Sequence, residues 1–194
     1  FSGPRSSSPA DQRQPPAADP AAAPAQPPAP RTPPPATLTP PTPARFAQYA
    51  PIGSYTASYY IGRPDFDHAE NIQHPVDGSY IGEYGIIIPP GQGVLNNDPD
   101  KAIAMDVYLF DKSDERQPLT VKRWLLSTYG DDHKRAEFER DKQCSKPPIV
   151  AQPNTNFQLE GVQLLLDCSI KQVTYTPEGY FQNVTVDLVL KRKS

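Results

Sequence analysis

The side chains best able to do chemistry are concentrated in one short segment of the sequence. The run Asp65-Phe66-Asp67-His68-Ala69-Glu70 brings three carboxylates and an imidazole together, and a second histidine follows four residues later. Such groups can bind a divalent cation or transfer protons. Two interpretations stand: a metal site, or a polar surface loop with exposed histidines. The metal site would be formed by Asp65, Asp67, His68, Glu70 and His74.

The spacing of these residues favours the loop. It matches neither the HExxH zinc helix nor the DxDxDG calcium loop, and Pro64 and Pro75 bracket the segment. Elsewhere the chain has no GxSxG sequence, no papain-like cysteine signature and no glycine-rich loop that leads into a helix. We therefore predict a non-catalytic protein, assign it no catalytic residue, cofactor or metal, and keep the metal-binding protein or metal-dependent enzyme as the alternative.

Proline divides the chain into two parts. Residues 1–45 hold 15 of the 26 prolines, with alanine between them, and their only aromatic residue is Phe1. Proline fixes φ and removes a backbone donor, and so little apolar surface cannot offset the entropy of ordering. The composition predicts a disordered, stiff arm over 1–45 and one folded domain over 46–194. The arm is expected to act as a tether, with a ligand for proline-reading domains as the other interpretation.

The charge disfavours nucleic acid as a partner. The chain carries a net charge of −3, and residues 1–45 contribute +2 from four arginines and two aspartates, so −5 remains on the folded part. An acidic surface repels a phosphate backbone. No apolar run is long enough to cross a bilayer, so a membrane is expected only through a segment upstream of Phe1. The start at Phe1 predicts a processed product or a fragment.

Two cysteines, Cys144 and Cys168, are too few for a disulfide scaffold. Whether they pair is left open. Their number favours a reducing compartment, and so the cytoplasmic side of any membrane to which the chain is tethered.

Apolar alternation predicts a mostly β domain after the arm. Met105, Val107 and Leu109 alternate with polar residues, and Val184–Leu190 shows the same period of two. Between strands, DDHKRAEFERDKQ (131–143) predicts a short surface helix whose few apolar residues are Ala136 and Phe138. The pattern favours an antiparallel β-sandwich or barrel without βαβ units. The expected strands span 79–88, 102–110, 119–129, 148–152, 155–159, 162–176 and 180–191, with a hairpin turn at 176–179.

Residues 46–60 form a tyrosine-rich lead-in that is expected to pack aromatic rings against the domain. Tyrosine is enriched at protein interfaces. Tyr55, Tyr59 and Tyr60 are therefore the interface candidates, whereas Trp124 lies within a predicted strand and is expected to pack in the core.

Three runs of the chain resemble those of uncharacterised bacterial proteins. They are GSYIGEYG (78–85), DVYLFDKSD (106–114) and PIVAQP (148–153), and the resemblance covers roughly residues 55–194. In proteins of that type an N-terminal membrane segment and a Pro-rich linker precede a C-terminal β domain. The resemblance implies a membrane-tethered domain and no reaction, cofactor or functional residue.

A long stiff arm is useful to a domain that must reach a partner, because it sets the effective concentration of the two. The expected function is a structural or protein-interaction module on a proline-rich tether, within a larger, membrane-associated assembly. Its expected partner is another protein or a second copy of the chain.

Overall fold

A computed structural model describes residues 50–63, 65–144 and 146–193. The arm predicted for 1–45, and the first residues of the lead-in, lie outside the described residues. Within them, nine strands, one α-helix and a short 3-10 helix (Leu95–Asn97) follow one another along the chain. The strands and the α-helix are β1 (Ala50–Tyr60), β2 (Asp67–Gln73), β3 (Tyr80–Ile87), β4 (Ala104–Asp111), β5 (Leu119–Leu126), α1 (Thr128–Glu139), β6 (Ile149–Val150), β7 (Asn156–Glu160), β8 (Leu164–Tyr175) and β9 (Phe181–Arg192).

The strands form two sheets. One sheet has the order β1-β9-β8-β7 and the other has the order β2-β3-β4-β5-β6. The predicted mostly β, sandwich-like fold with one short helix is confirmed. All neighbouring strands pair antiparallel except β5 and β6, which are parallel at Leu125–Ile149 and Leu126–Val150. This one parallel pair makes β5, α1 and β6 a short βαβ unit that the sequence pattern did not predict, because after α1 the chain runs beside the last two residues of β5.

The core lies between the two sheets. In β9 the side chains of Val184, Val186, Leu188 and Leu190 are buried, while the residues between them face outward and remain partly exposed. In β4, Met105, Val107 and Leu109 are buried in the same core cluster. Period-two alternation therefore places one face of each sheet on a common apolar layer.

A buried carboxylate ties the two sheets together at one end of the sandwich. Asp111, the last residue of β4, is fully buried. Its Oδ2 accepts hydrogen bonds from the backbone N–H groups of Gln163 and Leu164 at 2.8 and 3.0 Å, and its Oδ1 accepts from the backbone N–H and the hydroxyl of Ser113. The turn approaches so closely that a Cβ on Gly161 would lie 2.5 Å from Oδ2 of Asp111. These bonds hold the β7–β8 turn against the end of β4.

The helix begins earlier than predicted. The strand expected to reach Tyr129 ends at Leu126, and Ser127 caps α1 by accepting a hydrogen bond from Gly130 N at 3.0 Å. The helix is mostly exposed, as expected of a surface helix, and only Gly130 and Phe138 are buried in it. Ala136 is exposed as expected, but Phe138 is buried, with its ring centroid 4.8 Å from that of Trp124.

The start of the domain is more regular than predicted. The lead-in packs the Tyr59 ring into the domain as expected, but it does so as a full strand over Ala50–Tyr60, and the interpretation of the next segment as a polar loop is wrong where it forms β2. Both strands have little apolar alternation of their own. Pairing with neighbouring strands makes these two segments extended, since β1 pairs with β9 and β2 pairs with β3 over their whole lengths.

The remaining sequence expectations concern the hairpin turn, the two cysteines and membrane-spanning helices. The hairpin turn at 176–179 is confirmed, because Gly179 has φ 91° and donates to the Thr176 carbonyl at 2.9 Å. Cys144 and Cys168 are both free thiols. Among the described residues no helix is both long enough and apolar enough to cross a bilayer.

The carboxylate of Asp111 generates a stability prediction. Asp111→Asn should lower the free energy of unfolding by about 2–4 kcal/mol, because an amide NH2 would face backbone N–H donors in a buried site. Urea unfolding measures the loss. Asp77→Asn is the matched control, since Asp77 accepts the same two bonds from Ser79 in an exposed turn. Equal losses in the two variants would contradict the role assigned to Asp111.

Candidate interaction surface

Strand β1 forms an edge of its sheet and carries no charged residue. Its sequence, APIGSYTASYY, is neutral over 11 residues. It pairs with β9 on one side and stands first in the strand order of the described sheet. A strand in this position presents unpaired backbone N–H and C=O groups to any chain that can align with it.

The other three sheet edges of the described structure are protected. Strand β2 carries Asp67, His68 and Glu70, and β7 is five residues long and ends at Glu160. Strand β6 has two residues and directly follows Pro147-Pro148. Charge, short length and proline are the means by which natural sheets prevent edge-to-edge pairing. Strand β1 has a proline at its second position but neither charge nor short length.

Three successive side chains on the outward face of β1 are small and polar, and the larger Tyr60 follows them at the end of the strand. Ser54 and Thr56 are exposed and Ser58 is half-buried. Thr56 Oγ1 donates to Asp187 Oδ1 at 2.7 Å, and the Ser58 hydroxyl lies 3.4 Å from that of Thr185. These contacts attach β1 to β9 and leave the opposite edge of β1 uncovered by the described residues.

The three tyrosines predicted for an interface have different environments. Tyr59 is fully buried, with its ring edge-on to Phe66 at 5.3 Å, and burial, with a smaller contribution from Asp100, raises the pKa of Tyr59 to about 12. The prediction is wrong for Tyr59, because β1 alternation directs this residue into the core. Tyr55 is half-buried and its hydroxyl lies 2.6 Å from His68 Nδ1. Tyr60 is 54% exposed.

The candidate metal ligands are not gathered at one point. In β2, His68 and Glu70 are on the face turned toward β1, whereas Asp67 is on the opposite face and Asp65 is exposed before the strand. His74 lies in the following turn, with Nδ1 3.2 Å from Asp77. Within the described ranges no group of three or more His, Cys, Asp or Glu side chains could hold a metal ion. Strand alternation separates what the sequence places close together.

A cleft of about 550 Å³ lies between the edges of β1 and β2. Ile52, Gly53 and Ser54 line it from β1, and Glu70 and Tyr84 line it from the opposite sheet. Tyr84 is buried, and its hydroxyl is so close to Gly53 that a Cβ there would lie 3.3 Å from it. The cleft therefore extends from the exposed edge of β1 to the second sheet.

A second pocket, of about 540 Å³, lies between the segment 91–97 and α1. Trp124 and Phe138, both buried, form part of its lining. The Trp124 indole donates to Asp141 Oδ2 at 3.0 Å, so this tryptophan packs in a core cluster as predicted. Beside Trp124 on β4, Asp106 is buried, which raises the pKa of its carboxyl, and it pairs with Lys122 at 2.5 Å.

Comparison with known proteins adds no relative: no protein-family model, no curated protein and no solved structure matches this chain. The resemblance to bacterial proteins with a Pro-rich linker stays a prediction. The fold and the β1 edge are therefore the observations from which a function can be proposed.

The environments of the two thiols generate a reactivity prediction. Burial, together with the negative charges of Asp141 and Asp106, raises the pKa of Cys144 to about 12, and burial raises the pKa of Cys168 as well. A raised pKa lowers the thiolate fraction at pH 8, for Cys144 roughly a thousandfold. Iodoacetamide should therefore label neither thiol rapidly in the native protein and both rapidly in urea, as followed by mass spectrometry. Rapid native labelling of Cys144 would contradict this environment.

Proposed function

We propose that this chain is a non-catalytic protein-interaction module that receives its partner along the exposed edge of β1. The neutral, 11-residue edge is the observation that carries the proposal. Pairing along a sheet edge obtains affinity from main-chain hydrogen bonds, and side chains on alternate faces provide specificity. Such a surface needs no catalytic group and no cofactor.

The composition of residues 1–45 supports the same function. A segment with 15 prolines is suited to hold a domain away from its anchor, in an extended form of about 3.1 Å per residue. The chain enters the described domain through β1 itself, so the interaction edge begins where the tether ends. We propose that the module works in a larger assembly at a membrane, to which an upstream segment would attach it.

A single added charge tests the β1 edge. Thr56→Lys should abolish capture of the partner, because lysine on an edge strand opposes pairing with another strand. The side chain is exposed and lies beside Asp187, which can pair with the new ammonium group, so the fold should be kept. The measurement is affinity capture from the native source with the full chain, followed by mass spectrometry, with circular dichroism to check folding.

Asn156→Lys is the matched control. It adds the same charge to an exposed position on β7, the opposite edge of the same sheet. The wild-type chain and this control should retain the same protein in constant ratio, and Thr56→Lys should lose it. Retention that does not depend on residue 56 would refute the β1 edge as the docking site.

A further inference from the structure

Three successive outward side chains in the middle of β1 are arranged symmetrically about Thr56. The sequence Ser54-Tyr55-Thr56-Ala57-Ser58 is symmetric at its polar positions, with Thr56 at the centre. The pairing of β1 with β9 is regular from Gly53 to Tyr60, after an irregularity between Pro51 and Gly53. Thr56 is the midpoint of Gly53–Tyr59. An antiparallel strand related by a two-fold axis at Thr56 would therefore find matching residues on both sides.

We infer that the partner of β1 is β1 of a second copy of this chain, paired antiparallel about Thr56. This inference rests on the proposed function and names the occupant of that edge. The two four-stranded sheets would join into one sheet of eight strands around a closed two-fold axis. Backbone N–H and C=O groups of both edges would be satisfied together.

The side chains on both faces fit this register. On the outward face Thr56 meets Thr56 of the second copy, and each Ser54 meets Ser58, which are pairs that stabilise neighbouring strands. On the inward face each Tyr55 lies opposite Ala57, so a large ring faces a methyl group. No position in the pairing brings two charges or two aromatic rings together.

Neighbouring registers fit less well. Moving the axis to Ala57 places Tyr55 opposite Tyr59, which is already committed to the core. Moving it to Tyr55 extends the pairing through Pro51, which has no N–H to donate. Thr56 is therefore the centre that avoids both defects.

Charge and proline content bear on which chain can pair with the β1 edge. Residues 46–194 carry a net charge of −5, so two copies of the domain repel each other overall, and β2 carries Asp67 and Glu70 at its edge. Pairing along β1 adds no direct charge–charge contact between the two strands, because β1 is neutral. The chain's own residues 1–45 are poor strand partners, because 15 of them are prolines without a backbone donor.

Cysteine substitutions test the register in the full chain. Directly opposed residues of antiparallel strands have Cα atoms about 4.5–5.5 Å apart, which suits a disulfide. Thr56→Cys should therefore cross-link two copies under mild oxidation. Ser58→Cys alone should not, because the two cysteines would be offset by four residues, or roughly 13 Å. Ser54→Cys combined with Ser58→Cys should cross-link again.

Sedimentation velocity without oxidant measures the association itself. The wild-type chain and Asn156→Lys should sediment as dimers, and Thr56→Lys should sediment as a monomer with unchanged circular dichroism. Added salt should strengthen the dimer by screening the repulsion between two acidic domains. The unsubstituted chain, which still contains Cys144 and Cys168, is run beside the variants on non-reducing gels. It measures the cross-linking that the native thiols cause by themselves.

Three results would overturn the inference. They are a wild-type chain that stays monomeric up to its solubility limit, cross-linking of Ser58→Cys as efficient as that of Thr56→Cys, or a dimer that survives Thr56→Lys. A monomer that still captures a different protein in a Thr56-dependent way would leave the proposed function standing without self-pairing. A monomer that captures nothing through this edge would remove both.

Discussion

The buried carboxylate of Asp111 is the constraint on which the placement of the first sheet depends. A charged group can stay in the interior when hydrogen bonds satisfy it, and four donors, two from each sheet's turn, meet this carboxylate. Because two of those donors belong to Gln163 and Leu164, the bonds set where β8 begins relative to β4. Strand β8 pairs with β9, and β9 pairs with β1, so the position of each strand depends on the one before it. The position of the exposed β1 edge therefore depends on the Asp111 hydrogen bonds, which lie several strands away.

The outer faces of the two sheets differ in how far they are covered. On the second sheet, α1 and the residues after it cover Trp124, and the buried Asp106 lies beside it, paired with the half-buried Lys122. On the first sheet the outer face stays polar and partly exposed, with ion pairs such as Lys191–Asp167 at 2.6 Å across adjacent strands. Ion pairs of this kind contribute little stability but keep the face hydrated. The proposed pairing through β1 would extend this polar face sideways without burying it.

Several elements could be predicted from local pattern, and others could not. Strands β4, β8 and β9 alternate strongly because every second side chain packs between the two sheets, and the turn at Gly179 needs a residue that accepts positive φ. Strand β2, with a single buried residue at Ile72, has no such pattern, and its polar composition resembles that of a loop. The start of α1 was misplaced because Thr128 and Tyr129 are good strand residues, and the Ser127 cap decides the boundary. Of the interface candidates, Tyr60 is exposed, whereas Tyr59 is core.

The sequence by itself determined the fold class, the separation of a proline-rich segment from an apolar domain, and the absence of recognisable catalytic signatures, because composition and periodicity are local properties of the chain. Tertiary structure decided which strands lie at an edge, since edge position depends on neighbours that are distant along the chain. It also decided that the carboxylates and imidazoles of 65–74 point in different directions, because strand alternation overrides closeness in sequence. Recognising the neutral β1 edge requires both the sequence and the structure. Its lack of charge is visible in the sequence, but its exposure is a property of the assembled sheets.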